Sequence, residues 1–273
     1  MRITDPTPQF IAKKQLGQNF LVDPRVKQRI ISACELQPEE TVLEIGAGRG
    51  ELTREISPKV KQLIAIETDR ALCRELEGQF THTNVTVIHE DFLKLSFEKL
   101  PRPLKVIGNL PYYITTPIVE RILTRSDIFR SLYITVQYEL GVRITAKKDR
   151  KDYGAFSCFV QYYATPEKLF NIKNTAFRPI PKVDSCFVKL DIHPRPLYPA
   201  ENEDLLFQII QKAFQQRRKK ISNSIPSLLK TTSLLEILQC LDLDPHDRAE
   251  NLSVKNFVEI ANSIAASRTE PRV

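Results

Sequence analysis

The chain has 273 residues, of which 42% are hydrophobic and 27% charged, and its formal net charge is +7. This composition excludes a disordered or collagen-like chain, and no apolar run approaches the ~20 residues that a membrane span requires. Residues 1–15 contain neither the apolar core of a signal peptide nor an Arg- and Ser-rich presequence. We therefore expect a globular cytoplasmic protein that has no membrane partner.

The cysteines and histidines give no sign of a metal or redox site. The five cysteines are odd in number, widely spread and without a CxxC pair, and the four histidines are equally scattered. This pattern is typical of reduced cysteines that pack in the interior of a cytosolic protein. We expect no metal ion in the site.

Short apolar runs alternate with amphipathic stretches along most of the chain. The predicted strands are 41–45, 63–66, 85–89, 105–108 and 132–136, and the predicted helices are 25–33, 52–56, 71–79, 117–124 and 139–146. Such alternation predicts an α/β fold with a doubly wound parallel sheet. Two more β-rich runs, 156–164 and 185–192, lack a clear helix between them, so they are expected to pair antiparallel at one sheet edge.

The first predicted strand leads into a Gly-Ala-Gly-Arg-Gly turn at residues 46–50 and then into a helix. Glycines permit a tight bend and let a ligand approach the main chain closely. The spacing is GxGxG, whereas a dinucleotide fingerprint requires GxGxxG, and Glu51 puts an acid where a pyrophosphate would bind. Gly46 and Gly48 are therefore predicted to hold a nucleoside without phosphates, and a nicotinamide-dependent oxidoreductase is disfavoured.

The next two predicted strands each end at an acid. Glu67 follows Gly48 at about the 20-residue interval at which a carboxylate accepts hydrogen bonds from ribose hydroxyls. Asp91 follows the third strand and is placed to accept a hydrogen bond from an adenine amino group. One acid after a strand is usually a helix cap or a solvated turn. The glycine turn and two acids at successive strand ends favour a nucleoside site at the carboxyl edge of the sheet.

The fourth predicted strand leads into Asn-Leu-Pro-Tyr at residues 109–112. An adenine N6 amine is a poor nucleophile because its lone pair is delocalised into the ring. If the Asn109 side-chain oxygen and the Leu110 carbonyl accept its two N–H groups, the nitrogen becomes pyramidal and its lone pair points at an electrophilic methyl group. Pro111 stiffens the turn, and Tyr112 offers an aromatic face to a splayed-out base. The alternative is an ordinary Asn-x-Pro turn with packing tyrosines.

The C-terminal part differs in composition from the rest. A proline-rich stretch at 194–200 predicts a linker between a first domain, 1–193, and a small helical domain, 201–273. The window from Leu205 to Leu235 contains six basic residues and no acid, so it carries +6 of the +7 net charge. Such a concentration favours a polyanion partner, although a solvated helix face is the alternative. On a continuous helix the four basic residues at 217–220 cannot share one face: Arg217 would lie toward the core, Lys219 and Lys220 are the better candidates for phosphate contacts, and Arg218 is intermediate.

At these motifs the chain resembles the KsgA-type ribosomal RNA adenine N6-dimethyltransferases. The resemblance rests on the glycine turn, the two acids and Asn-Leu-Pro-Tyr. It rests also on Leu-Gly-Gln-Asn-Phe-Leu at 16–21, on the proline-rich loop at 177–185 and on the basic run at 213–220. It covers nearly the whole chain. Ala47 and Arg49 depart from the proline and the apolar residue expected in the glycine turn.

The resemblance implies an S-adenosyl-L-methionine-dependent methyltransferase domain with a small helical RNA-binding domain. The implied reaction is dimethylation of two adjacent adenosines near the 3′ end of small-subunit ribosomal RNA, with that RNA or the assembling small subunit as partner of a monomeric enzyme. The implied site residues are Asn109, Leu110, Pro111 and Tyr112 for catalysis, Tyr112 and Phe177 for stacking on the target base, Asn19, Leu21, Gly46, Gly48, Glu67, Asp91 and Asn109 for the cofactor, and Arg218, Lys219 and Lys220 for RNA.

Two related groups provide alternative functions. The erythromycin-resistance methylases modify large-subunit ribosomal RNA, but they more often carry isoleucine at the position of Leu110 and asparagine at that of Tyr113. The mitochondrial transcription factor B proteins keep the fold and serve transcription, which would make the chain a nucleic-acid-binding factor without catalysis. Asn109 and Tyr112 are present, and so are Glu67 and Asp91, the two acids that would bind the cofactor. An enzyme is therefore favoured.

Overall fold

The computed structural model describes residues 18–225 and 234–269. The first two residues of the 16–21 motif and Lys230 of the basic window lie outside this range. Within these two segments, no helix combines the length and the apolarity needed to cross a bilayer.

Strands and helices alternate through the first two thirds of the chain, close to the predicted bounds. Local sequence signals set where the first helix begins. Asp23 caps it by accepting hydrogen bonds from the backbone of Arg25 and Val26, and Pro24 occupies its first turn. The elements are β1 (Phe20–Leu21), α1 (Pro24–Ala33), β2 (Thr41–Ile45), α2 (Thr53–Ile56), β3 (Gln62–Glu67), α3 (Arg70–Gln79), β4 (Val85–His89), β5 (Leu104–Asn109), α4 (Thr115–Leu123), β6 (Phe129–Gln137), α5 (Tyr138–Thr145), α6 (Ala155–Tyr163), β7 (Ala164–Ile172), β8 (Phe177–Arg178) and β9 (Ser185–Ile192).

The central sheet has seven strands in the order β4-β3-β2-β5-β6-β9-β7. Strands β2 to β6 run parallel, whereas β9 runs antiparallel to both β6 and β7. The chain winds outward from β2 to β4 and then returns to β5 on the other side of β2. At such a reversal the loops that follow the two neighbouring strands diverge, and a crevice opens at the carboxyl edge of the sheet. The fold class predicted from the sequence is confirmed.

The predicted strand at 156–164 is wrong. Residues Ala155–Tyr163 form α6, and the strand that pairs with β9 is β7, which begins at Ala164. The aromatic and β-branched residues of this segment resemble a strand, but the helix buries several sides at once, including Cys158, Val160 and Tyr162. A helix that is apolar over most of its surface loses the polar stripe that reveals a 3.6-residue period.

The C-terminal helices share one core with the sheet, and the first and last of them pack against α6. They are α7 (Glu203–Gln215), α8 (Ile221–Ser224), α9 (Leu234–Cys240) and α10 (Val254–Thr269). The rings of Phe159 and Phe207 lie 5.1 Å apart, and the Tyr163 hydroxyl donates to the Glu203 carboxylate at 2.6 Å. The change from alternating elements to helices follows the proline-rich stretch, as expected. The exact domain boundary stays a prediction.

Candidate active site

A cavity of about 310 Å³ lies at the carboxyl edge of the sheet, where β2 and β5 diverge. Its walls come from β1 and from the loops that follow β2, β3, β4 and β5. All the predicted cofactor and catalytic residues line it, namely Asn19, Leu21, Gly46, Gly48, Glu67, Asp91, Asn109, Leu110, Pro111 and Tyr112. The structure therefore brings together residues from four successive strand ends and from the N-terminal motif.

The glycine turn forms the floor of the cavity beside β3. Gly46 and Gly48 have φ values of +72° and +59°, which side chains other than glycine rarely adopt. A Cβ atom on Gly48 would also lie 3.2 Å from the ring of Phe20. The Gly46 N–H donates to the Ile66 carbonyl at 2.9 Å, which joins the turn to β3. Phe20, which also lines the cavity, was not singled out from the sequence.

The Glu67 carboxylate joins the glycine turn to the loop after β3. One oxygen accepts the Gly48 N–H at 2.8 Å, and the other accepts those of Thr68 and Asp69, each at 2.9 Å. Glu67 is 8% exposed and lines the cavity. A carboxylate has about four acceptor positions, so one remains for a ligand hydroxyl alongside these three bonds.

The charged side chains of the lining are four acids, Glu44, Glu51, Glu67 and Asp91, and one cation, Arg49. Glu44 of β2 is buried, accepts a hydrogen bond from the Thr53 hydroxyl at 2.7 Å and lines the cavity with Glu67 and Asp91. Burial raises the pKa of Glu44 to about 8. Glu51 also lines the cavity, but its carboxylate is paired with Lys27 at 2.6 Å, so its charge opposes a phosphate less than the sequence suggested. Sequence reasoning missed Glu44, although an acid inside an apolar strand was a signal.

Asp91 sits at the start of the loop that follows β4. One of its oxygens accepts the Leu93 N–H at 2.9 Å, which leaves the other oxygen for a ligand. Arg121 of α4 holds the same loop, because its guanidinium donates to the carbonyls of Phe92, at 2.8 Å, and Leu95. No sequence pattern pointed to Arg121, since its partners lie in a distant loop.

The orientation of the Asn109 amide is set by the N-terminal motif. Its Nδ2 atom donates to the Asn19 carbonyl at 3.0 Å, which leaves Oδ1 as the acceptor. The Pro111 carbonyl accepts from the Ile114 N–H and the Thr115 hydroxyl, whereas the Leu110 carbonyl has no donor in the part of the chain that the structure describes. Two unused acceptors therefore lie at neighbouring positions of the cavity wall.

Two tyrosines follow these acceptors. The Tyr112 hydroxyl lies 2.7 Å from the Ser185 hydroxyl, which holds its ring in place, and burial raises the pKa of Tyr112 above its usual value. Tyr113 also lines the cavity and is 62% exposed. The two rings provide aromatic surface at the cavity wall.

Phe177 does not have the position expected of a base-stacking ring. It is fully buried in β8, opposite Leu21 of β1, within a core that includes Ile30 and Phe187. It does not line the cavity. The structure therefore corrects this prediction: the β1–β8 pairing turns the Phe177 ring into the core, and Tyr113 supplies the second accessible ring.

The basic run at 217–220 is a turn and not part of a helix. Helix α7 ends at Gln215, so the expected arrangement of four basic residues around one helix is wrong. Arg217 does face the protein, where it donates to the carbonyls of Lys151 and Tyr153 and pairs with Glu250.

The other three basic residues of the turn differ in their contacts. Lys220 Nζ lies 2.8 Å from His246 Nδ1. Arg218 and Lys219 are exposed, and their side chains have no partner among the described residues. Arg218 and Lys219 are therefore the better candidates for phosphate contacts. None of Arg218, Lys219 and Lys220 lines the cavity.

The comparisons with known proteins agree with this site. The family model for ribosomal RNA adenine dimethylases matches residues 9–266. The ribosomal RNA small subunit methyltransferase A of Alkaliphilus metalliredigens is 39% identical over 268 residues, which cover 94% of this chain and 93% of that protein.

Two solved structures are similar over nearly the whole chain. A dimethyladenosine transferase from Plasmodium falciparum has a TM-score of 0.81 and 24% identity, over 91% of this chain and 98% of that one. The 23S rRNA methyltransferase ErmE has a TM-score of 0.71 and 25% identity, over 90% and 100%. Because the family model matches residues 9–266, which include every residue that lines the cavity, the chain belongs to the ribosomal RNA adenine dimethylase family.

Proposed function

We propose that this chain transfers methyl groups from S-adenosyl-L-methionine to the N6 atoms of two adjacent adenosines near the 3′ end of small-subunit ribosomal RNA. The proposed enzyme acts as a monomer in the cytoplasm, on the RNA or on the assembling small subunit. One observation carries the proposal. A single cavity combines an acid-lined nucleoside site with the unused acceptors of Asn109 and Leu110 and the ring of Tyr112.

The lining of the cavity suits S-adenosyl-L-methionine, which supplies an electrophilic methyl group on a positively charged sulfur. Glu67 would accept from a ribose hydroxyl with its remaining acceptor position, and Asp91 would accept from the adenine amino group. Glu44 adds a further acid that a cationic ligand would help to ionise. The main chain at Gly46 and Gly48 allows close approach of the ligand. This set of acids disfavours a ligand that carries phosphates.

The target amine is activated by its position. The Asn109 Oδ1 atom and the Leu110 carbonyl would accept the two N6 hydrogens, so the nitrogen lone pair turns toward the methyl group. Rotation of the Asn109 amide would put a donor where an acceptor is needed. The hydrogen bond from Nδ2 to the Asn19 carbonyl prevents this rotation. The transfer is direct and in line, and catalysis relies mainly on orientation. The proton shed from N6 goes to water, so no histidine base is required.

The alternatives are less well supported. The relative that is 39% identical is named for the small subunit, whereas the ErmE structure, named for 23S rRNA, is 25% identical. Leu110 and Tyr113 also differ from the residues that the erythromycin-resistance methylases more often carry. A purely nucleic-acid-binding role would not need the oriented Asn109 amide.

The proposal can be tested by mapping the methylated nucleotides. Purified protein and methyl-labelled S-adenosyl-L-methionine are incubated with undermethylated small subunits and, separately, with large-subunit RNA. We expect label on the N6 atoms of two adjacent adenosines of the small-subunit RNA, and labelling that is about 100-fold slower or more with the Asn109→Ala variant. Label on large-subunit RNA alone, or no label on either RNA, would refute the proposed function.

A further inference from the structure

A second cleft lies beside the active site, at the same carboxyl edge of the sheet. Its volume is about 530 Å³, and it is formed where β6 ends, α5 begins and the loop before β9 passes over β7. Its lining residues are Gln137, Tyr138, Glu139, Asn171, Lys173, Val183 and Asp184. None of them has a role in the proposed methyl transfer.

The second cleft and the active site are connected through Ser185, which lines neither of them. Ser185 pairs with Gln137 in the sheet, and its hydroxyl contacts the Tyr112 hydroxyl at 2.7 Å. Asp184, the residue before Ser185, accepts the Tyr138 N–H with its carbonyl at 3.0 Å. A strand of RNA that places one base against Tyr112 would therefore have its next nucleotide close to this cleft.

Tyr138 offers an aromatic surface in the cleft. The residue is 41% exposed and occupies the first position of α5. Lys168 Nζ lies 4.9 Å from the centre of its ring, so a cation covers one face. A ring that is held at its backbone and on one face loses little freedom when a base stacks on it.

The polar groups of the cleft suit a base. The side-chain amides of Gln137 and Asn171 bond none of the residues that the structure describes, so their donors and acceptors are available to a base edge. Lys173 is paired with Asp184 at 2.8 Å, and its side chain is 81% exposed at the rim. The lining acids Glu139 and Asp184 balance the charges of Lys168 and Lys173, so the cleft favours a base over a phosphate.

We propose that the second cleft binds the base of the nucleotide immediately next to the target adenosine, stacked on Tyr138. This inference depends on the proposed function, because it takes the occupant to be the same RNA strand whose neighbouring base enters the active site. The cleft would fix the register of the strand while one base is methylated. An unpaired purine suits it best, since a purine has the larger stacking surface and its edge offers both donors and acceptors to the two amides.

The test uses a hairpin of the small-subunit RNA 3′ end, with the fluorescent purine 2-aminopurine placed either 5′ or 3′ of a target adenosine. The protein is titrated with S-adenosylhomocysteine present, so that no methyl transfer occurs. For the wild type we expect quenching at one of the two positions. Tyr138→Ala should abolish this quenching and weaken hairpin binding ~10-fold, whereas Tyr138→Phe should retain both.

Two controls separate local from general effects. Tyr198 is 44% exposed in the proline-rich stretch and does not line either cavity, so Tyr198→Ala should behave as the wild type. The exposed Asn171 provides a second variant in case Tyr138→Ala folds poorly. Asn171→Ala should raise the KM for the hairpin and leave kcat and cofactor affinity unchanged.

The outcomes also separate this inference from the proposed function. Suppose that the enzyme methylates the hairpin, but that no quenching of 2-aminopurine at either position depends on Tyr138. This result would overturn only the proposed role of the second cleft. A protein that methylates neither the hairpin nor undermethylated small subunits would overturn the proposed function as well.

Discussion

Replacement of Glu67 by alanine should weaken both the glycine turn and cofactor binding. The carboxylate accepts three backbone N–H bonds and is only 8% exposed, so its removal affects the fold as well as the ligand. A hydrogen bond to a charged group contributes ~1.5–3 kcal/mol, although water can reach some of the freed N–H groups beside a cavity. We therefore expect a loss of about 2–4 kcal/mol in unfolding free energy, less than the sum of three bonds. For a chain of this size each kcal/mol shifts Tm by about 2 °C or slightly less, so Tm falls by roughly 3–8 °C.

The same substitution should reduce cofactor affinity beyond its effect on stability. Loss of the ribose hydrogen bond is worth at least ~1.5–3 kcal/mol, which corresponds to roughly 10- to 150-fold in Kd. Calorimetric titration with S-adenosylhomocysteine, at a temperature where the variant remains folded, measures this separately. Glu67→Gln should be intermediate, because it keeps one acceptor oxygen but turns an amide donor toward backbone N–H groups.

Glu90→Ala provides a matched control. Glu90 directly follows β4, as Glu67 ends β3, but its carboxylate accepts no hydrogen bond from any described residue and does not line the cavity. Its removal should change neither Tm nor Kd appreciably. If Glu67→Ala lowers Tm yet binds S-adenosylhomocysteine as tightly as the wild type, the ribose contact is refuted. If Tm is also unchanged, the three backbone bonds do not stabilise the turn.

Three further predictions concern Asn109, Glu44 and the basic turn. Asn109→Ala should leave S-adenosylhomocysteine affinity within a few-fold of the wild type but lower the single-turnover methylation rate by about 100-fold or more, because the acceptor matters most as the amine becomes pyramidal; a wild-type rate would refute this role. The pKa of Glu44 is raised from 4.5 to about 8, so the folded protein keeps a proton that the unfolded chain has lost. Its contribution to stability therefore falls by up to about 1.4 kcal/mol per pH unit between those values. Over the same range a cationic cofactor should bind more tightly as the pH rises. Glu44→Gln should reduce the pH dependence of stability, measured by thermal unfolding, and that of cofactor affinity, measured by calorimetry. Equal pH profiles for the wild type and Glu44→Gln would contradict this role of Glu44. The double variant Arg218→Ala/Lys219→Ala should weaken RNA binding and flatten the plot of log affinity against log salt by up to ~0.7–0.9 for each phosphate that is no longer neutralised. Lys255→Ala, which removes an exposed cation on α10, is the control in filter binding at three salt concentrations.

Two predictions from local patterns failed for related reasons. The segment 156–164 has the composition of a strand, but its neighbours α5 and α7 decide that it is a helix buried on several sides. The basic run continues an amphipathic stripe, but Gln216 departs from helical geometry and the chain turns toward Arg248. In both places the outcome depended on packing partners that a window of sequence does not contain.

The sequence by itself determined the alternation of strands and helices and the order along the chain of the residues that would bind the cofactor and the target base. Hydrophobic period and glycine placement are local properties, and each of Gly46, Glu67, Asp91 and Asn109 follows or ends its own strand. Because the carboxyl ends of parallel strands meet at one edge, local order was enough to predict that these residues would share a site. The cavity that they line confirms this grouping.

Only the tertiary structure decided how those residues are held and which of them are accessible. The Asn109 amide is oriented by Asn19, and the Tyr112 ring is held by Ser185, although each pair is far apart in sequence. The burial of Phe177 follows from the pairing of β1 with β8, two strands of only two residues each. Such contacts depend on strand order and on the packing of distant loops, and the periodicity of a short segment carries no information about either.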